Sequence, residues 1–164
     1  MGKIWILIMF LLSSTVLSFA ADLKVEAPAQ CKYCGMDRTV FAQSRMVVTY
    51  TDGSSSGTCS LNCVVADMRQ AKDKKVKSLQ VADYRTKKLI DAKTATWVMG
   101  GKKQGVMTQV AKWAFADKKG AGAFIKANGG KLATFNEVLK ATEKELTDSS
   151  HPRKGNGHDE HSGH

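Results

Sequence analysis

The sequence contains no block of five or more like charges, no helix-turn-helix, no finger spacing and no aromatic-basic RNA motif. Its formal charge of +10 and pI near 9.5 therefore describe a solvated basic surface with lysines spread along the chain, and no nucleic-acid partner is expected. Paired carboxylates, a nucleophile elbow and a phosphate loop are also missing, and the chain is read as a protein other than an enzyme. Histidine is absent until His151, so the body of the chain carries no imidazole. Cysteine is scarce as well. The four residues Cys31, Cys34, Cys59 and Cys63 form a C-x2-C and a C-x3-C, which look less like a disulfide framework than like ligands or a reversible couple.

What is present begins with an export signal. Lys3 supplies a short charged region, Ile4 to Val16 an apolar core, and Ser18-Phe19-Ala20-Ala21 offers small residues for signal peptidase. Residues 1–20 are expected to be removed near Ala20, leaving a periplasmic protein with no stable membrane insertion. A retained membrane helix is the competing reading, and the apolar run is barely long enough for one. An acylated signal needs a cysteine at the cleavage point, and the first cysteine is Cys31. In an oxidising compartment, an even cysteine count ordinarily means disulfides, so that alternative stays open for both pairs.

The most informative stretch is Cys31-Lys32-Tyr33-Cys34-Gly35-Met36, in which two thiols and a thioether fall within six residues and Gly35 lets the backbone turn. Thiolate and thioether donors select Cu(I); zinc accepts the thiolates but rarely a thioether, and hard cations want oxygen. Met36 tilts the choice toward copper. A C-x-x-C also suggests a thiol–disulfide oxidoreductase, whose attacking cysteine follows a strand and opens a helix. Here Gly35-Met36-Asp37 leads into β-type sequence and no strand precedes.

The 164 residues suit one modest domain or two small units sharing a core. Residues 21–30, with Pro28, read as a connector, 31–92 as a first unit, 93–146 as a second unit with a C-terminal helix, and 147–164 as a disordered His-rich tail. In the first unit a strand is expected from about Ser44 to Thr51, then a turn at Asp52-Gly53, then a loop or short returning strand at Ser54 to Gly57. Thr58 or Ser60 caps a helix carrying Leu61, Val64, Val65 and Met68 on one face, with Cys59 and Cys63 near its first turn. Val76 to Tyr84 alternates as a strand, and Asp91 to Thr94 is a connector. The second unit gives a strand at Ala95 to Met99, a turn at Gly100 to Gly105 and a strand over Val106 to Phe115. Asp117 then caps a helix that Gly129-Gly130 stops, and Thr134 with Glu137 makes a capping box for a last helix over Phe135 to Leu146. Both halves read strand, strand, helix, strand. The expected class is α+β, two related ββαβ units sharing a core.

Taken together, Tyr33-Cys34-Gly35-Met36, Phe41-Ala42-Gln43, Ala95-Thr96-Trp97-Val98, Gly105-Val106-Met107, Ala114-Phe115-Ala116-Asp117 and Phe135-Asn136-Glu137-Val138-Leu139 resemble the NosL family of accessory copper-binding proteins. The resemblance covers roughly Cys31 to Lys140. It implies a Cu(I) carrier of two ββαβ units whose partners are nitrous oxide reductase or its assembly factors, with Cys34 and Met36 matching the Cys-Gly-Met element and Met107 the later methionine. Three features depart from the family pattern. No cysteine stands at the cleavage point, Cys31, Cys59 and Cys63 are additional sulfurs, and Met107 sits in Val-Met-Thr where Pro-Met-Gly is common. The candidate metal ligands are Cys31, Cys34, Met36, Cys59, Cys63 and Met107. The competing reading is an exported protein stabilised by zinc or disulfides, structural or redox-sensing. The tail histidines His151, His158, His161 and His164 form a tract of the kind that picks up divalent metals.

Overall fold

Two short antiparallel sheets carry the chain, and each is built the same way. The computed structural model describes Val25, Glu26 and residues 28–150; the expected signal peptide and the four histidines lie outside the described residues. In chain order the elements are β1 (Met46–Tyr50), β2 (Ser55–Thr58), α1 (Leu61–Gln70), β3 (Val76–Ala82), β4 (Leu89–Asp91), β5 (Thr96–Met99), β6 (Lys112–Phe115), α2 (Lys118–Asn128), β7 (Lys131–Ala133) and α3 (Phe135–Ser150). The sheets run β2-β1-β3-β4 and β6-β5-β7, so in both halves the first strand lies between the second and the third. The expected pair of ββαβ units is thus the observed topology, with β4 added to the first and α3 to the second.

Local chemistry explains most boundaries. In β1, Met46, Val48 and Tyr50 face the core while Val47 and Thr49 are half-buried, the period of two that a one-sided strand requires. The carboxylate of Asp52 accepts from Ser54 N (2.9 Å), and Gly53 takes φ +84°, closing the hairpin. Ser60, not Thr58, is the N-cap of α1 and accepts from Cys63 N; Asp117 caps α2 by accepting from Gly120 N. Thr134 and Glu137 form the reciprocal box, with Glu137 Oε2 accepting from Thr134 N at 2.6 Å and Thr134 Oγ1 from Glu137 N at 3.3 Å.

Three expectations are corrected. The strand over Val106 to Phe115 is real only from Lys112, because 106–111 is a loop in which Met107 adopts φ +54°. That loop finds its partners in α3 instead of a neighbouring strand. Glu145 accepts from Val110 N (3.2 Å), from the Thr108 hydroxyl (2.6 Å) and from Lys112 Nζ (3.2 Å). The connector at Asp91 to Thr94 is preceded by a strand, β4, too short to stand out, which pairs with β3 through Gln80↔Asp91 and Ala82↔Leu89. Finally, α3 continues to Ser150, past the expected start of the tail at Thr147, and its last turns are held against α1 by Arg69 donating to Glu143 O (3.2 Å).

One core spans both units. Met46, Val48, Leu61, Val64, Trp97 and Val138 pack together, and α3 lies against α1. A second apolar cluster holds the cysteines with Val98, Trp113, Phe115 and Phe124. The units are stitched at Asp83, which is 3% exposed and whose carboxylate accepts from Thr86 N (2.7 Å), Arg85 N (3.0 Å) and, across the junction, Ala116 N (2.7 Å). Burial by itself would raise the pKa of this group, but the Thr86 and Ala116 N–H groups outweigh it and hold the carboxyl below its ordinary value. A carboxylate with a lowered folded pKa stabilises above its unfolded value, about 3.9, and that contribution disappears as pH falls through the folded value. Asp83→Asn is therefore expected to cost about 2 kcal/mol at pH 7, because the amide turns one acceptor into a donor facing N–H groups. In urea unfolding the gap between wild type and variant should narrow at pH 3.

Candidate metal centre

The first cysteine pair sits on a closed turn. Cys31 N donates to Met36 O and Gly35 N to Cys31 O, both at 2.8 Å, with Gly35 at φ +74°. This turn is docked on the edge of β2 by Lys32 N donating to Gly57 O (2.9 Å). Cys59 lies between β2 and the cap of α1, its carbonyl held by Ser44 Oγ at 2.8 Å, and Cys63 lies in the first turn of α1. The two segments are clamped by Arg38, which is wholly buried. Its guanidinium donates to Thr58 O (3.2 Å), Met46 O (3.1 Å) and Glu26 O (2.7 Å), and pairs with the Glu26 carboxylate. Arg45 holds the same carboxylate from the other side at 3.1 Å. Gly57 is required here, since a Cβ would meet Arg38 Nη1 at 2.5 Å and Cζ at 2.6 Å.

The result is a cluster of four sulfur atoms, all within 4.8 Å of one another. Cys34 to Cys59 and Cys59 to Cys63 are 3.6 Å, and Cys34 to Cys63 is 3.7 Å, so these three form a nearly equilateral triangle. None of the four is in a disulfide. Cys31, Cys59 and Cys63 are at most 2% exposed, whereas Cys34 is partly open to solvent. No carboxylate or imidazole belongs to the cluster among the described residues.

Apolar surroundings and mutual S–H bonds set the protonation. Burial pushes the Cys34 thiol up to about 11. Cys63 is raised as well, because its proton is engaged by Cys59 and its site is buried. Cys59, receiving the Cys63 hydrogen bond and a second from Cys34, is held down at about 6 despite burial. Within this coupled group Cys59 is the thiol whose deprotonation its neighbours favour, with those neighbours as donors.

The donor set fits a soft ion. The centre of a triangle with this edge lies about 2.1 Å from each sulfur, close to the roughly 2.3 Å of a zinc–thiolate bond, so little movement is needed to bind. Of the other sulfurs, Met36 is partly buried and packs against the cluster. Met107 stands in the neighbouring loop, 47% exposed, lining a groove with Asn62, Thr108 and Glu145 that none of the four cysteines lines. The structure thus gathers the four thiols and keeps Met107 at the surface. Arg38, Glu26, Gly57 and Glu145, which shape the site, give no signal in the sequence, where each is one more charged residue or glycine among many.

The sequence profile of NosL matches residues 22–142, which include all four cysteines, Met36 and Met107. The chain belongs to the NosL family. A similar solved structure is the crystal structure of the copper chaperone NosL from Shewanella denitrificans, with 25% identity, a TM-score of 0.56 and coverage of 72% of this chain and 95% of that one. A search of curated protein sequences gives no match. The NosL match takes in both ββαβ units and stops within α3.

Proposed function

We propose that this chain is an exported Cu(I)-binding chaperone that carries copper to a periplasmic copper enzyme. The observation that carries the reading is the cluster of four reduced sulfurs, three of them about one tetrahedral edge apart, with no hard donor among them. Membership of NosL and likeness to a protein described as a copper chaperone support it. Cys31, Cys34, Cys59 and Cys63 are the thiol donors and Met36 is the thioether packed against them, while Met107, exposed in its own groove, is not among the ligands gathered here. A carrier needs no catalytic base, because Cu(I) moves by exchanging sulfur ligands one at a time. Nitrous oxide reductase or its assembly factors are the proposed recipient, and residues 1–20 the signal that takes the chain to the periplasm.

Four clustered thiols also suit tetrahedral zinc, so the experiment separates the two. The mature chain is titrated anaerobically with Cu(I) against a competing chelator, and in parallel with Zn(II). The expected result is stoichiometric Cu(I) binding that displaces any bound zinc. Retention of zinc in the presence of excess Cu(I), or four cysteines that oxidise in pairs and ignore copper, would overturn the copper reading.

A further inference from the structure

Resting on that reading, we infer that Cys34 is the exchange ligand of the site, the one thiol through which Cu(I) arrives and leaves, while Cys31, Cys59 and Cys63 hold the ion. An acceptor sulfur has to come within bonding distance of the ion, about 2.3 Å for a thiolate on a metal of this size. The flank formed by Cys31, Cys59 and Cys63 is closed, at 2%, 0% and 1% exposure, and is backed by Trp113, Phe115 and Phe124. Cys34 alone is open to solvent, with Tyr33 and Gly35 exposed on either side. It is nonetheless a full member of the cluster, as near to Cys59 and Cys63 as those two are to each other.

The settings differ in the same sense. The Cys59 carbonyl is held by Ser44 Oγ, and the Cys63 N–H by Ser60 Oγ at the helix cap. Cys34 stands on the turn closed by Gly35 N donating to Cys31 O, and Gly35 beside it has no atom within 4 Å of the position a side chain would occupy, so this side of the cluster is open to an approaching ligand. Release then proceeds with Cu(I) unchanged in oxidation state. An acceptor thiol gives up its proton as it forms a Cu–S bond on the open flank, and one bond to a protein thiolate breaks, the freed sulfur taking up that proton. The exchange repeats until Cys34 is the last protein ligand to let go. Uptake is the reverse. The partner is accordingly a protein that presents its own thiol or thioether at a surface able to meet the turn at residues 33–36.

The test compares anaerobic Cu(I) transfer from wild type, Cys34→Ser and Cys63→Ser to bathocuproine disulfonate in stopped flow. For wild type and Cys63→Ser the rate should rise with chelator concentration. For Cys34→Ser, loaded and folded by circular dichroism, transfer should slow by about tenfold or more and lose its dependence on the chelator, since the ion must first escape unaided. Affinity should fall far more for Cys63→Ser than for Cys34→Ser. Cys34→His, which keeps a ligand at the open flank, should recover the dependence. A Cys34→Ser protein that cannot be loaded, or that keeps the wild-type dependence on chelator, overturns the assignment of Cys34. Failure of wild type to load at all is a different result and sinks the copper reading itself.

Discussion

Cys59→Ser is expected to lower Cu(I) affinity by about a hundredfold or more, equivalent to about 2.7 kcal/mol. Cys59 lies 3.6 Å from both Cys34 and Cys63, at one corner of the sulfur triangle, and at 0% exposure no solvent ligand can replace it. A serine hydroxyl in its place is a hard donor in an apolar shell and is a poor ligand for a monovalent soft ion. The change from sulfur to oxygen is small in volume, so the fold should survive with a modest loss of stability. Anaerobic competition with a Cu(I) chelator, read beside urea unfolding of the apo protein, separates lost ligation from lost structure. Unchanged affinity would mean that Cys59 is packing and that the remaining sulfurs hold the ion without it.

Much of this architecture is written locally. The alternation of Met46, Val48 and Tyr50, the Asp52-Gly53 turn, the caps at Asp117 and Thr134 and the C-x2-C turn each arise from residues a few positions apart, and each is found as the local chemistry dictates. The site itself is not local. Cys31 and Cys34 meet Cys59 and Cys63 between segments that a buried arginine ties to the carbonyls of Thr58, Met46 and Glu26, none adjacent to it in sequence. Alternation also misled where a distant side chain intervened. Val106 to Val110 follows a strand pattern, yet Glu145, more than thirty residues later, supplies the loop with an acceptor that a ladder would otherwise have provided. β4 was hidden for the opposite reason, since three residues carry too little period to read.

Arg38→Met should destabilise the apo protein by about 2–4 kcal/mol, at about 1–3 kcal/mol for each buried carbonyl left without its donor. The loss has two sources. The carbonyls of Thr58, Met46 and Glu26 are deprived of their donor in a buried setting, and the Glu26 carboxylate keeps only Arg45. For a domain with a total stability of about 5–15 kcal/mol this is a large share. Arg38→Lys restores the charge but not the planar fork that reaches several acceptors at once, so recovery should be partial. Gly57→Ala presses on the same guanidinium and should cost about 1–3 kcal/mol, the range for overpacking. If Arg38 acts on the metal site as well as on the fold, Arg38→Lys under conditions where it is fully folded should still bind Cu(I) more weakly than wild type. The reason is that the turn at residues 31–36 and the segment leading to Cys59 are then no longer held in register. Urea midpoints for the three variants together with chelator competition on the folded fraction measure both effects. Wild-type affinity in a destabilised but folded Arg38→Lys would confine this arginine to the fold.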